Sequence, residues 1–470
     1  MDQNVGILVE NRIFEEIRVG DTASVQRTLR MEDITLFSVV SGDVNPAHLD
    51  PVYASTDVFH HIVGHGVLTA GLISAVLGTK LPGPGTIYVS QDLQFRAPVR
   101  PGDTITATVT VTGKIAGKHH VTLDCHCVNQ DGVEVIHGTA TVIAPLEKIS
   151  RTAMLLPDVR LVDHAWSRDL LVRALSGAPL TTAVVHPCDE ASLRGALDAA
   201  GSKLIVPILV GPEARIHAVA SAAGIDISGY RIVPAAHSHD SAARAVALVR
   251  GGEARLLMKG ALHTDELLHE VMRADTGLRT GRRLSHVFML SVPGYARPLL
   301  VTDAAINIAP TLEEKRDIVQ NAIDLAHVMG IATPRVAILA AVETVNPAMP
   351  STLDAAALCK MADRGQITGG LVEGPLAFDN AVSADAAREK GITSLVAGHA
   401  DILVVPDLEA GNMLAKQLSF LAGADAAGVV VGARVPIILT SRADSERTRI
   451  ASCAVAVLMA RANPVHTEAA

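Results

Sequence analysis

The chain has 470 residues, 49% apolar and only 3% aromatic, with 40 basic against 49 acidic side chains and a net charge of −9. That length calls for two or three domains, each with a sizeable core. The acidic balance and the scarcity of rings exclude a phosphate-rich polymer as partner, since neither an electropositive field nor stacking platforms are at hand. Five scattered cysteines point to reduced thiols rather than a disulfide framework. Met1 to Arg12 has neither the basic start nor the apolar core of a signal peptide, and no apolar run has the length of a bilayer span. A cytoplasmic protein with no membrane partner is expected.

The first informative run is Ser41-Gly42-Asp43-Val44-Asn45-Pro46-Ala47-His48. Pro46 fixes its own φ and pushes Asn45 out of the helical region, so the chain must bend there. Asp43 and His48 can then meet around one small object, such as a water molecule. Val67 to Thr79 is apolar nearly all round, which predicts an enclosed helix, roughly 20 Å long at helical rise. Strand signals follow. Thr104 to Val111 alternates Thr and Ala with Ile and Val, and Val121, Leu123, Cys125 and Cys127 share one strand face. Asp131-Gly132 marks a tight hairpin into Val133 to Ile143. Residues 1–147 therefore read as an α+β unit, an antiparallel sheet around a buried helix. Residues 148–178, with the single Trp166, read as a linker carrying a short docking helix. From 179 to 470, apolar runs alternate with Ala-rich amphipathic segments. The runs are Thr182–Val185, Leu204–Leu209, Arg255–Met258, Val336–Leu339, Ile402–Val405, Val429–Val431 and Pro436–Leu439. That is the βαβ texture of a two-lobed α/β domain with mostly parallel sheets.

The opening run resembles the MaoC-like hot-dog family, specifically the (R)-specific enoyl-CoA hydratases. Phe37, Ser41, Gly42, Asp43, Asn45, Pro46, His48 and Ala54 fit the family pattern, and Ala47 is smaller than its usual branched hydrophobe. Gly64-His65-Gly66-Val67-Leu68, Ser74, and Leu81-Pro82-Gly83 through Phe95 also fit. The resemblance covers about residues 20–145 and implies hydration of a 2-enoyl thioester. Asp43 and His48 would hold and deprotonate the water. The Gly66 N–H, at a helix start, would point at the thioester carbonyl, and Ser74 would support the site or the substrate. The plainer alternative is that Asp43 and Asn45 form an Asx turn and His48 is a core histidine. His65 is expected to be structural. His60, His61, His119, His120, His126 and His137 show no ligand spacing, and alternation puts His126 on the face opposite Cys125 and Cys127. No metal is expected.

In the C-terminal part, Pro436 to Leu439 runs into Thr440-Ser441-Arg442-Ala443-Asp444-Ser445 and an Ala-rich segment. This is a strand, a polar turn and a helix start, a place where anions bind readily and where Arg442 offers a forked donor. Plain N-capping by Ser441, Asp444 or Ser445 is the alternative. Together with Lys259-Gly260-Ala261-Leu262-His263-Thr264, Thr302 to Asn307, Glu373 to Asn380 and Pro406 to Asn412, the run resembles the phosphate acetyl/butyryltransferases over about residues 180–460. The Gly374 to Asn380 run is closer to the butyryl branch. This resemblance implies direct acyl transfer between CoA and phosphate, with Ser441 and Arg442 as the catalytic pair. Lys259, Asp303, Asn307 and Asn412 would bind substrate. The position of the acetyl enzymes' carboxylate base falls near Thr448, leaving Asp444 and Glu446 as substitutes. Their Leu-Arg-Pro arginine is also missing, which leaves Arg279, Arg282 and Arg283 to supply charge. Cys188, Cys359 and Cys453 read as core thiols. No tightly bound cofactor is implied, only CoA thioesters and phosphate as substrates, and a homo-oligomer is expected. A hot-dog domain serving only as a CoA-binding or oligomerisation module is the second reading of the N-terminal part.

Overall fold

Alternation of β-branched and small residues builds the first sheet. In the computed structural model, which describes residues 8–152, 154, 156–157, 159, 161, 164–439 and 444–462, the chain divides into two units, Met1–Leu161 and Val162–Ala470. The first unit contains strands β1 (Leu8–Glu10) and β2 (Thr22–Thr28), then helices α1 (Met31–Ser41), α2 (Pro46–Leu49), α3 (Pro51–Thr56) and α4 (Gly66–Thr79). Strands β3 (Ile87–Phe95), β4 (Thr104–Ile115), β5 (His120–Val128), β6 (Glu134–Ile143) and β7 (Ser150–Thr152) complete it. Five of them form an antiparallel sheet in the order β2-β4-β5-β6-β3. Ile105, Ala107, Val109 and Val111 of β4 and Val121, Leu123, Cys125 and Cys127 of β5 are all buried on one face. The β5–β6 connection closes with Gly132 at φ 77°, a backbone region glycine enters freely. Within the expected linker, β7 pairs antiparallel with β1.

Helix α4 packs on this face through Thr69, Ile73, Val76 and Leu77, one stripe at helical spacing. It is not enclosed as its composition predicts, since Val67 remains 65% exposed. A single five-stranded sheet covers only one side of a helix, and on the rest Leu68, Ala70 and Leu72 are partly buried while, among the described residues, Val67 stays uncovered.

The second unit opens with α5 (Ala165–Leu175), the docking helix that carries Trp166. It is tied to the last helix by Arg461 Nη1, which donates to the Ala174 carbonyl at 2.6 Å. Its strands are β8 (Leu180–Val185), β9 (Ile205–Gly211), β10 (Arg231–Pro234), β11 (Leu256–Lys259), β12 (Ser285–Ser291) and β13 (Leu299–Thr302), followed by β14 (Arg335–Leu339), β15 (Leu371–Leu376), β16 (Ile402–Val404), β17 (Asp425–Val431) and β18 (Ile437–Ile438). They form one 11-stranded sheet in the order β10-β9-β8-β11-β18-β17-β12-β13-β16-β14-β15. Its two flanks are parallel, while the steps β18–β17, β17–β12 and β12–β13 are antiparallel. The mostly parallel expectation therefore holds on both flanks, with an antiparallel centre that the βαβ texture did not announce.

Candidate functional site

The bend at Asn45-Pro46 is built as the sequence demands. Helix α1 stops at Gly42, at φ 77°, whose N–H donates to the Ser38 carbonyl at 2.9 Å. Pro46 is the first residue of α2, and Asn45 caps it by accepting from the Ala47 N–H at 3.1 Å. Asp43 Oδ1 accepts from the Asn45 N–H at 3.2 Å, so the Asx turn is present. The other oxygen, Oδ2, stays available and lies 3.9 Å from His65 Nε2.

His48 and His65 stack with ring centroids 3.8 Å apart and planes 35° apart. His48 Nδ1 lies 2.7 Å from the Val63 carbonyl. A carbonyl only accepts, so this nitrogen carries the proton and Nε2 keeps its lone pair. His65 is the reverse case. Its Nε2 faces the Asp43 carbonyl at 3.3 Å and Ser38 Oγ at 3.3 Å, which places the proton there, while Nδ1 is buried without a partner. Burial holds the His65 pKa below the ordinary value and the neighbouring His48 adds to this, against the opposing pull of Asp43. His65 is thus the neutral floor on which His48 rests, with Phe37 packed against it at 4.9 Å.

Donor atoms of Asp43, His48 and His65 fall within 4.8 Å of one another. The protonated Nε2 of His65 makes this group a poor cation holder and a good cradle for water. His48 lines a cavity of about 490 Å³ together with Gly64, Gly66, Phe95 and Val99. Gly66 starts α4, and its N–H is among those with no acceptor inside the helix. A Cβ at Gly66 would come 2.8 Å from the Phe95 ring, so glycine keeps that approach open. Ser74 is exposed and lies eight residues further along α4. No hydrogen bond joins it to Asp43 or His48 among the described residues. A second cluster, Asp124, His126 and His137, lies on the outer face of β5 and β6, also with donor atoms within 4.8 Å.

In the second unit, Asp303, Asn307 and Asn412 come together. Asp303 is buried and accepts from the N–H groups of Ala305 and Ile306 through Oδ1 and of Asn307 through Oδ2. The Asn307 amide donates to Asp303 and to the Leu284 carbonyl, and its oxygen accepts from Arg283 Nε at 2.7 Å. Asn412 donates to the Ala304 carbonyl at 3.0 Å. Lys259 lies elsewhere, at the end of β11. Four strand steps separate β11 from β13, about 19 Å at ordinary spacing. Three antiparallel pairings between them turn their carboxyl ends to opposite edges. Lys259 instead adjoins Leu439, since Met258 pairs with Ile438. Ser441 and Arg442 lie outside the described residues.

Ser445 caps the helix Glu446–Ala462, accepting from the Thr448 N–H at 3.1 Å. Arg282 is ion-paired with Asp324 and Arg283 with Glu314, so both guanidinium charges are already matched. Desolvation pushes the thiols of Cys359 and Cys453 up to about 12 and raises that of Cys188, which suits core thiols rather than nucleophiles. Among the described residues no helix is long and apolar enough to cross a membrane.

Two family models match the chain, a MaoC like domain over residues 17–127 and a phosphate acetyl/butaryl transferase over residues 235–457. A phosphate acetyltransferase of Rhizobium meliloti is 66% identical over 291 residues, 62% of this chain and 92% of that protein. A phosphate butyryltransferase of Clostridium acetobutylicum is 42% identical over 292 residues, covering 62% and 97%. Among solved structures, a branched-chain phosphotransacylase from Enterococcus faecalis V583 is 31% identical, with a TM-score of 0.54 over 60% of this chain and 99% of that one. The fold and these matches define an acyltransferase-type α/β domain behind a hot-dog domain. The chain belongs to the phosphate acetyl/butyryltransferase family and carries a MaoC-like domain ahead of it.

Proposed function

We propose that the chain is a bifunctional acyl-CoA enzyme. The N-terminal unit adds water to a 2-enoyl-CoA to give a 3-hydroxyacyl-CoA, and the C-terminal unit moves an acetyl or short acyl group between CoA and phosphate. For the hydratase, the carrying observation is the free Nε2 lone pair of His48, fixed by the Nδ1–H bond to Val63, beside Asp43 and in a cavity shared with Gly66. Asp43 and His48 hold one water. His48 takes its proton as the oxygen attacks C3, and that proton is returned to C2. The Gly66 N–H at the start of α4 meets the charge that develops on the thioester oxygen.

The transferase reading rests on family membership and on identity to acetyl- and butyryl-transferring relatives. A phosphate oxygen attacks the thioester carbonyl and the CoA thiolate leaves, with no acyl-enzyme. Ser441 and Arg442 are proposed to stabilise the intermediate and hold phosphate. Asp303, Asn307 and Asn412 are proposed to bind substrate as a group apart from Lys259, which adjoins Leu439.

One observation favours a hot-dog module that only binds CoA or a second copy: Asp43 is 51% exposed and already occupied in its Asx turn. Two assays on the full chain separate the readings. Crotonyl-CoA hydration should occur in the wild type and vanish in Asp43→Ala, whereas an inactive wild type supports the module. Incubation of acyl-CoAs of rising length with phosphate should release CoA and acyl phosphate, and phosphate-independent release would overturn direct transfer.

A further inference from the structure

The outer face of the N-terminal sheet gathers two imidazoles and two carboxylates that the hydration site does not use. His126 on β5 and His137 on β6 are direct cross-strand partners, with ring centroids 4.3 Å apart. Asp124 precedes His126 by two residues and so shares its face. Glu134 reaches the same face through an irregularity. The register shifts between Cys127 and Val128, leaving Val135 as an extra residue on β6. Such a bulge reverses the alternation, so Glu134 and His137, three apart, point the same way.

Glu134 Oε1 lies 2.8 Å from His126 Nδ1 and 3.2 Å from His137 Nδ1. One ionised oxygen can only accept, so it fixes both rings with the proton on Nδ1. The two Nε2 atoms both lie near Asp124, that of His126 at 2.7 Å from Oδ2 and that of His137 at 3.8 Å from Oδ1. Unprotonated ring nitrogens this close to a carboxylate are unfavourable unless positive charge lies between them. Those separations bracket the spacing of about 3.3 Å between donors on a tetrahedral ion with bonds of 2.0–2.1 Å. A carboxylate behind metal-bound imidazoles, holding their other N–H groups, is the usual support of such a site.

We propose that Asp124, His126 and His137 bind a divalent cation of the zinc class, with Glu134 orienting both rings and the solvent side left open for water. This departs from the expectation drawn from the spacing alone. The ion would cross-link the β5–β6 hairpin, about 11 residues apart in sequence, without touching the Asp43–His48 pair.

The test is zinc uptake by the full chain, free of tag histidines, stripped with chelator and then dialysed against the metal at neutral pH. One zinc per chain is expected, lost in His126→Gln and in His137→Gln but kept in His48→Asn. Glu134→Gln should keep the stoichiometry and weaken affinity about 10–100-fold. Cobalt in place of zinc should give a visible absorption band that disappears with the same variants. Far-ultraviolet dichroism checks that each variant folds, and Asp124→Asn replaces any that does not. No uptake, uptake that survives loss of both histidines, or uptake lost only with His48→Asn overturns the proposal.

Discussion

Which of two stacked imidazoles takes a proton is decided by what faces each ring nitrogen. His48 gives its Nδ1–H to Val63 and keeps Nε2 basic, while His65 is closed on the Nε2 side and has no acceptor for a second proton at Nδ1. His48→Asn should therefore lower the hydration kcat by about 10²–10⁴-fold, the usual share of a general base, with CoA affinity unchanged. A stopped assay with crotonyl-CoA checks this, and a comparable KM effect instead would mark His48 as a binding group. For His65 the consequence is a pH dependence. Its pKa is lowered in the folded state, so the unfolded chain binds the proton more readily. The stability this provides is complete above the ordinary histidine value of about 6.5 and falls as pH drops below it. Unfolding midpoints of the N-terminal unit should decline from pH 7 to pH 5, and His65→Gln should flatten that slope. At this scale the Asp43–His48 pairing was legible, because a rigid turn and its spacing are local. The partition between His48 and His65 was not, since it depends on the Val63 carbonyl fifteen residues beyond His48.

Elements that alternate cleanly could be read from the sequence, and those that depend on a neighbour could not. The strand face of Val121, Leu123, Cys125 and Cys127 is legible because period two is a property of one strand. Strands β12 and β13, antiparallel at the centre of the large sheet, were not among the predicted runs, and neither were the parallel edge strands β10 and β15, since a place at a centre or an edge is set by neighbours and not by local alternation. The bulge at Val135 escaped for the same kind of reason: it exists only in the register between β5 and β6. Helix α4 shows how the two combine, since its apolar composition is local but its cover is not. Its first residue carries a prediction. In Gly66→Ala the new methyl would press on Phe95 and shift whatever approaches the helix start. A displacement on the order of 1 Å can cost roughly 10²-fold in rate. Hydration kcat/KM should fall steeply while phosphate-dependent acyl transfer stays unchanged. A variant equally impaired in both reactions would count against placing the carbonyl at Gly66.

The division of labour across the molecule follows from where each core draws its residues. The core beneath the Asp43–His48 site uses buried residues from Phe14 to Ala144 alone, and the cavity that His48 lines closes with Ile136. The cores of the large sheet draw on residues from Trp166 onward among those described. Among the described residues each core is thus drawn from its own unit, as expected of domains that fold on their own. A fragment of residues 1–161 should hydrate crotonyl-CoA with the kcat of the full chain, and a fragment of residues 162–470 should keep phosphate-dependent CoA release. On the proposed function, joining the two acts only on supply: a 3-hydroxyacyl-CoA leaving the first site would be a CoA thioester, the substrate class of the second. Tethering raises its local concentration without any new contact. The coupled flux from enoyl-CoA to acyl phosphate should therefore be higher for the fused chain than for equimolar fragments at low enzyme concentration, and the difference should close as the fragments are concentrated. Equal flux at every concentration would mean that the fusion serves co-expression and not transfer between the sites.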